Sequence, residues 1–309
     1  MKILVTGAEG QLARSLIERS AFHSEIELVA LGRPRLDLAV PGSAAASIEA
    51  VRPQIVINAA AYTAVDKAED EPDLAFKINA AAAGEVAAAA ASVDAAIMQV
   101  STDYVFDGRR QGPYDERVPT SPLGVYGRSK LAGEEHVRAA NPRHVIVRTA
   151  WVYSPFGSNF VKTIMTAART RDVLNVVNDQ RGTPTSALDL ADGLLRIARL
   201  WKDAPEHGIG KTYHLAGTGQ TSWFGLSKFV MSECRGRSLP ASDVVPIATT
   251  DWPVKAIRPA NSALDSGRFE REFAFVMPEW RQSVSTIVGR LATDSGLWSD
   301  PSDGVAPRG

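Results

Sequence analysis

Tyr126 and Lys130 stand four residues apart in Tyr126-Gly127-Arg128-Ser129-Lys130. On a helix that spacing puts both side chains on one face. A phenol has an ordinary pKa of about 10. A neighbouring ammonium stabilises phenolate and eases proton transfer near neutral pH. Such a pair suits reduction of a ketone, in which hydride reaches carbon while the phenol protonates oxygen. The bare motif also arises where a tyrosine and an unrelated lysine share a helix face. It gains weight from Ser101-Thr102-Asp103-Tyr104-Val105-Phe106, which follows the apolar strand Ala96-Val100. Ligands of open α/β sheets sit outside the carboxyl ends of strands. Thr102 is placed to hydrogen-bond a substrate oxygen there, although Ser, Thr and Asp also make ordinary turns after strands.

A second group lies at the start of the chain. Thr6-Gly7-Ala8-Glu9-Gly10-Gln11-Leu12-Ala13 follows a first strand and opens a helix. Gly7 suits a tight turn, Gly10 a close approach of backbone to a pyrophosphate, and Ala13 close helix–strand packing. The helix N-terminus offers free N–H groups to phosphates. An NAD-selective site usually carries an acid at the end of the second strand. Here Leu31-Gly32-Arg33-Pro34-Arg35 has two arginines and no acid. A guanidinium fork suits a 2′-phosphate, so the pattern points to NADPH, with NADH as the alternative. Asp37, just beyond, is placed to approach the adenine.

The elements that must position these groups alternate. Lys2-Val5, Glu27-Leu31, Ile55-Asn58, Ala96-Val100 and His144-Arg148 read as strands. Gln11-Ser20, Ala44-Val51, the alanine-rich Asp73-Ser92 and Ser129-Ala139 read as helices between them. The alternation predicts an α/β fold: a Rossmann-type, doubly wound parallel sheet covered on both faces. After about Thr149 the pattern loosens, with more isolated strands at Val173-Val177 and Thr212-Leu215. We read residues 1–150 as a dinucleotide-binding domain, to which later segments return. Residues 151–292 read mainly as a smaller C-terminal substrate-binding lobe, and 293–309 as a mobile tail.

Composition bounds the function. The chain has 309 residues, 45% of them hydrophobic, enough for a full core. Its 34 basic and 35 acidic residues give a net charge of -1, with no general pull toward nucleic acid or anionic membrane. One cysteine, Cys234, excludes a disulfide within the chain and reads as a small buried apolar residue. No uninterrupted apolar run approaches the ~18 residues of a spanning helix. The first strand begins too early for a secretory signal. The expectation is a cytoplasmic protein.

In combination the motifs resemble those of the dTDP-4-dehydrorhamnose reductase family, within the extended short-chain dehydrogenases. The resemblance runs from Met1 to about Leu291. It rests on Gly7-Ala8-Glu9-Gly10-Gln11-Leu12, on Asn58-Ala59-Ala60-Ala61-Tyr62-Thr63-Ala64-Val65-Asp66-Lys67-Ala68-Glu69 and on Ser101-Thr102-Asp103-Tyr104-Val105-Phe106-Asp107-Gly108. It continues through Ser121 to Glu134, Arg148-Thr149-Ala150-Trp151-Val152-Tyr153, Asn159-Phe160-Val161, Asp179-Gln180-Arg181-Gly182-Thr183-Pro184-Thr185 and Arg258-Pro259-Ala260-Asn261-Ser262. The resemblance implies that Tyr126 is the proton donor and that Lys130 partners it and binds the nicotinamide ribose. It implies that Thr102 and Asp103 contact the sugar and that Trp151 packs near its ring. Gly10, Gln11, Leu12, Asp37, Leu38, Ala61, Tyr62 and Thr63 match cofactor-contact positions. Asn159, Gln180 and Arg258 are candidates for the nucleotide-diphosphate side, Arg258 with the best chemical case.

The implied substrate is a dTDP-4-keto-6-deoxy sugar. The implied reaction is reduction of dTDP-4-dehydro-6-deoxy-L-mannose to dTDP-L-rhamnose. Related dehydratases carry an Asp-Glu pair after the threonine. Thr102-Asp103-Tyr104 lacks the second acid, which favours reduction over dehydration. Some family members hold magnesium at a dimer contact through glutamates, one of them just after the glycine loop. This chain has Arg14-Ser15 there, so no metal is expected, and a homodimer is left open. The competing readings are another nucleotide-sugar 4-ketoreductase and a non-catalytic regulatory subunit, which retention of Tyr126, Lys130 and Thr102 opposes.

Overall fold

The computed structural model describes residues 1–294. The expected tail, apart from Thr293 and Asp294, lies outside them. The strands are β1 (Lys2–Thr6), β2 (Glu27–Leu31), β3 (Ile55–Asn58), β4 (Ala96–Thr102), β5 (His144–Thr149), β6 (Val152–Tyr153), β7 (Val173–Val177), β8 (Arg181–Gly182), β9 (Thr185–Ser186), β10 (Lys211–His214), β11 (Thr221–Ser222) and β12 (Asp243–Ile247). The helices of the first half are α1 (Gln11–Ser20), α2 (Ser43–Val51), α3 (Val65–Ala68), α4 (Pro72–Phe76), α5 (Ala82–Ser92) and α6 (Val125–Ala140). Those of the second half are α7 (Phe160–Ala167), α8 (Ala187–Leu200), α9 (Trp223–Gly236), α10 (Gly267–Phe273) and α11 (Trp280–Leu291).

Six strands form one sheet in the order β10-β5-β4-β3-β1-β2, and every pair is parallel. Both faces are buried, which explains the near-continuous apolar runs. Side chains alternate between the faces with period two. Ile3, Val5, Ile57, Met98 and Val147 pack with Leu16 of α1, Leu190 and Leu194 of α8, Tyr213 and Phe269. Leu4, Val56, Ile97 and Ile146 pack on the other face with Ile48 of α2, Val86 and Ala90 of α5, and Val137 of α6. Thr212, expected in a more isolated strand, instead extends the main sheet beside β5. Strand order reverses between β1 and β3, and the crevice of a doubly wound sheet opens at such a point.

A separate core joins α7, α9 and α11 to the β7–β12 pair through Val161, Leu174, Leu226, Val230, Trp280, Val284 and Ile287. Cys234 is buried there, and burial pushes its thiol up to about 11.

The alanine-rich segment differs from the simple helix expected. Between α4 and α5 lies a π-helical turn, Lys77–Ala81. Asn79 in this turn accepts the Tyr62 N–H (2.8 Å) and donates to the Tyr62 carbonyl (3.0 Å) and to Ser129 Oγ (3.0 Å). The wider turn thus fixes the loop after β3, a local use typical of such bulges. The stretch Pro72–Ser92 is long and apolar enough by composition to cross a membrane, with mean hydropathy 1.2. Its alanines supply that value, and one of its faces packs on the sheet.

A charged cluster is sealed beneath the sheet's far edge. Arg148 of β5 holds the fully buried Glu134 of α6 through two bonds, 2.8 and 2.7 Å. Ser101 Oγ (2.6 Å) and Arg138 (2.9 Å) also donate to it. Burial alone would raise the Glu134 carboxyl. The Arg148 guanidinium, Ser101 and Arg138 overrule that and hold it below its ordinary value. Removing one partner of a buried pair leaves the other charge uncompensated. Arg148→Met is expected to lose about 3 kcal/mol of unfolding free energy in urea titration. A loss under about 1 kcal/mol would show that Ser101 and Arg138 suffice.

Candidate active site

Strand β4 ends at Thr102, and Asp103–Val105 forms one tight 3-10 turn. Helix α6 begins at Val125, earlier than the periodicity predicts, so Tyr126 lies in its first turn. Glu69 caps this end by accepting the Val125 N–H at 2.7 Å. Gly127 faces the turn after β4. A Cβ there would stand 2.2 Å from the Tyr104 carbonyl oxygen, so only glycine allows the approach. The result brings Tyr126 against Thr102, with the Tyr104 ring edge-on to Tyr126 at 5.5 Å and 76°.

The hydrogen bonding is specific. Thr102 Oγ1 donates to Asp103 Oδ1 (2.9 Å) and accepts the Tyr104 N–H (3.2 Å). The Tyr126 phenol lies close enough to the same hydroxyl to feel it. The Tyr126 ring is only partly covered, yet its hydroxyl end lies inside, and burial pushes it well above an ordinary phenol while Thr102 pulls the other way. Lys130, buried one turn on, donates from Nζ to the Val100 carbonyl at 2.7 Å. Burial pushes its ammonium down to about 8, opposed by the Glu134 charge. The expectation that Lys130 lowers the phenol is therefore not met in this structure. Its ammonium reaches past Tyr126 to the strand, and the phenol keeps its proton.

Asp103 is almost fully buried, and burial raises its carboxyl to about 6. The Ser262 hydroxyl lies close enough to oppose this, but it donates to the Arg181 carbonyl, and Asp103 Oδ2 has no partner in hydrogen-bond geometry. Burial raises Tyr104 to about 12 against the opposing charge of Arg258.

The cofactor candidates gather at the switch point between β1 and β3. Gly7 has φ +86, and a Cβ would meet the Ala60 backbone just after β3 at 3.3 Å. Gly10 precedes α1, whose N-terminus no side chain caps. Its first N–H groups, from Gln11 and Leu12 onward, have no intrahelical partner. The Gln11 side chain accepts from Ser154 Oγ at 3.0 Å. Arg33 is exposed at the end of β2 beside Arg35, and Asp37 accepts the Ala39 N–H at 2.9 Å. Leu38 packs into the core below. Ala61, Tyr62 and Thr63 line the loop after β3, where the Tyr62 hydroxyl donates to Glu71 (2.7 Å) and is raised to about 12 by that bond. An uncapped helix end, a close approach of the glycine loop to the chain after β3 and two arginines beyond fit a phosphorylated dinucleotide.

The substrate candidates divide. Trp151 has φ +47, a sparsely populated region costing about 1 kcal/mol or more. It is held there by face-to-face stacking on Trp223, centroids 3.5 Å apart, and by its indole N–H donating to Ser262 Oγ at 3.1 Å. Arg258 crosses to the Tyr104 ring at 5.9 Å and binds Asp66 at 2.6 Å, leaving its buried Nη1 unpartnered. Asn159 instead spends its amide on the N-terminus of α7, accepting the Lys162 N–H and donating to the Ser154 carbonyl. Gln180 is buried and donates to Thr249 at 3.0 Å. Sequence reading missed Asn79, Trp223 and Ser262. Asn79 left a signal as a polar residue within an alanine-rich helix, and Ser262 as the last residue of the Arg258-Pro259-Ala260-Asn261-Ser262 motif. Among the described residues no group of three or more His, Cys, Asp or Glu side chains converges as metal ligands would.

A parallel doubly wound sheet with a glycine loop at its switch point and a threonine–tyrosine–lysine group at its carboxyl edge defines a short-chain dehydrogenase/reductase of the extended type. The family model described as RmlD substrate binding domain matches residues 1–293. A relative from Sinorhizobium fredii, "dTDP-4-dehydrorhamnose reductase", is 43% identical and covers 94% of this chain and 98% of its own. A crystal structure of a dTDP-4-dehydrorhamnose reductase from Clostridium acetobutylicum superposes with TM-score 0.86 at 39% identity, covering 94% of this chain and 99% of that one. One from Bacillus anthracis, in complex with NADP, gives 0.85 at 35%, with the same coverage. The chain belongs to the dTDP-4-dehydrorhamnose reductase family.

The arginines beyond β2 predict a cofactor preference. In the double variant Arg33→Ala with Arg35→Ala, the ratio of kcat/KM for NADPH over NADH is expected to fall by about tenfold or more, as for loss of a charge-assisted phosphate pair. An unchanged ratio would remove both from phosphate binding.

Proposed function

We propose that this chain reduces the 4-keto group of dTDP-4-dehydro-6-deoxy-L-mannose to dTDP-L-rhamnose with NADPH. The observation that carries the reading is the Thr102–Tyr126 pair at the end of β4, with Lys130 behind it and no carboxylate at position 104. The names of the relatives supply the substrate class.

A bound reduced nicotinamide supplies the hydride, and this chain's residues do the rest. Tyr126 holds its proton at neutral pH and delivers it to the ketone oxygen as charge develops there. Lys130, one helical turn away, would hold the nicotinamide ribose and supply positive charge to the phenolate left on Tyr126. Thr102 fixes the oxygen's angle. Trp151 covers the sugar ring, and the unpartnered Nη1 of Arg258 takes a diphosphate oxygen. Gly7, Gly10 and the N-terminus of α1 hold the cofactor's pyrophosphate. Asn159 and Gln180 act on the substrate only through the segments they tie down.

Elimination of water from a hexose needs an acid for the leaving hydroxyl and a base for the neighbouring carbon. Tyr104, with its phenol near 12, stays protonated at neutral pH and supplies no base for that carbon. Product analysis by mass and NMR tests the reading. The keto sugar is expected to gain two hydrogens with NADPH, and dTDP-glucose to be returned unchanged. Loss of water from dTDP-glucose would overturn the assignment. Tyr126→Phe keeps the ring and removes the proton. It is expected to lower turnover about 100- to 10,000-fold, the usual share of a general acid, with NADPH affinity preserved. Turnover within a few-fold of wild type would take Tyr126 out of the acid role.

A further inference from the structure

We propose that Asp103 is a positioning residue that sets where the Thr102 hydroxyl proton points, so that reduction is fast when Asp103 is neutral and slow when it is ionised. The inference rests on the proposed ketone reduction and adds a control that the reading does not require.

The geometry limits what Thr102 can do. A hydroxyl has one proton and two lone pairs. The proton of Thr102 goes to Asp103 Oδ1 at 2.9 Å, and one lone pair takes the Tyr104 N–H at 3.2 Å. With Asp103 ionised, the carboxylate is an acceptor only and a strong one. Thr102 then keeps its proton turned inward and offers the substrate a lone pair, which repels a ketone oxygen. With Asp103 neutral, the carboxylic acid becomes a donor to Thr102. The hydroxyl can then turn its own proton outward, toward the oxygen on which negative charge develops. No covalent bond forms or breaks at either residue. Only the direction of two hydrogen bonds changes.

The surroundings favour a neutral Asp103 more than is usual. Its Oδ2 is buried without a partner, a costlier state for an oxygen sharing a negative charge than for the carbonyl oxygen of an acid protonated on Oδ1, the oxygen that faces Thr102. Thr102 and the Asp103 and Tyr104 backbone face it from its own turn, Tyr126 from α6, and the Ser262 hydroxyl from the segment before α10. The nearest titratable neighbours are thus two phenols, Tyr104 and Tyr126, both raised and uncharged at neutral pH. Arg258 packs over the Tyr104 ring and is paired with Asp66. Lys130 is turned to Val100, and Glu134 is engaged by Arg148. Among the described residues no cation contacts the carboxylate, and burial raises it to about 6. The sign follows directly. The neutral form dominates below that value and is lost as pH rises through it.

Asp103→Asn tests this, because the amide is uncharged at every pH and still offers a donor to Thr102. The quantity to measure is the Asp103→Asn to wild-type ratio of kcat/KM for the keto sugar, which cancels ionisations shared by both proteins. From about pH 5.5 to about pH 8 the ratio is expected to rise at least ~10-fold, as for titration of one essential acid. In a Thr102→Val background the same comparison is expected to be flat, since the proton being steered is gone. A merely structural Asp103 would give a pH-independent ratio, and a direct effect on substrate would persist without Thr102. Either result overturns the proposal. A second measurement needs neither activity nor a variant: the carboxyl 13C shift of Asp103 in the wild-type protein is expected to titrate near about 6 rather than near about 4. Titration at the ordinary value overturns the inference even if the enzyme reduces the keto sugar. Failure of the wild type to reduce it, with the raised titration present, overturns the functional reading instead.

Discussion

Helix α6 lies against the exit of strand β4 because residue 127 has no side chain. A Cβ at that point would press to 2.2 Å from the Tyr104 carbonyl oxygen. The approach sets the distance between the residue before it, Tyr126, and the last residue of the strand, Thr102. The other parts of the site are arranged around this contact. Glu69 caps the helix start, fixing the first turn that carries Tyr126. One turn further along, Lys130 reaches the strand carbonyl at Val100, and one turn beyond that Glu134 is clamped by Arg148 of the neighbouring strand. Three successive turns of one helix are thus tied to one edge of the sheet.

That arrangement divides the work between rigid and responsive groups. The Glu134–Arg148 pair is sealed and fully engaged, so it fixes position. Lys130 and Asp103 are also buried, but burial shifts each toward its neutral form, to about 8 and about 6. Such values place both groups where ligands and moderate pH changes alter their charge, as is common at sites built for proton transfer. The aromatic wall of Trp151 and Trp223 and the arginine at 258 come from segments beyond residue 150. The chain therefore returns to the carboxyl edge of the sheet to close the site from above.

Much of this was legible in the sequence. The parallel sheet followed from alternating apolar strands and helices, because a sheet buried on both faces needs uninterrupted Val and Ile. The glycine loop and the Tyr126–Lys130 spacing marked the switch point and the helix face. Three things were not legible, for a common physical reason. The Trp151–Trp223 stack joins residues far apart in the chain, and neither neighbourhood signals the other. The direction taken by Lys130 depends on a carbonyl and a buried carboxylate brought near only by packing. The raised Asp103 acid depends on the depth of burial, which a short motif does not encode. Asn159, whose motif suggested a contact with the nucleotide, sits at the start of α7, where its side chain accepts the Lys162 N–H.

The central claim is that the group at the end of β4 directs hydride to one carbon and a proton to its oxygen. Incubation of the purified protein with dTDP-4-dehydro-6-deoxy-L-mannose and NADPH deuterated at the transferable nicotinamide position tests it most directly, read by proton and deuterium NMR of the product. The account predicts deuterium at sugar C4 alone, in a single configuration. Deuterium at another carbon, or oxidation of the cofactor without label in the sugar, would contradict it.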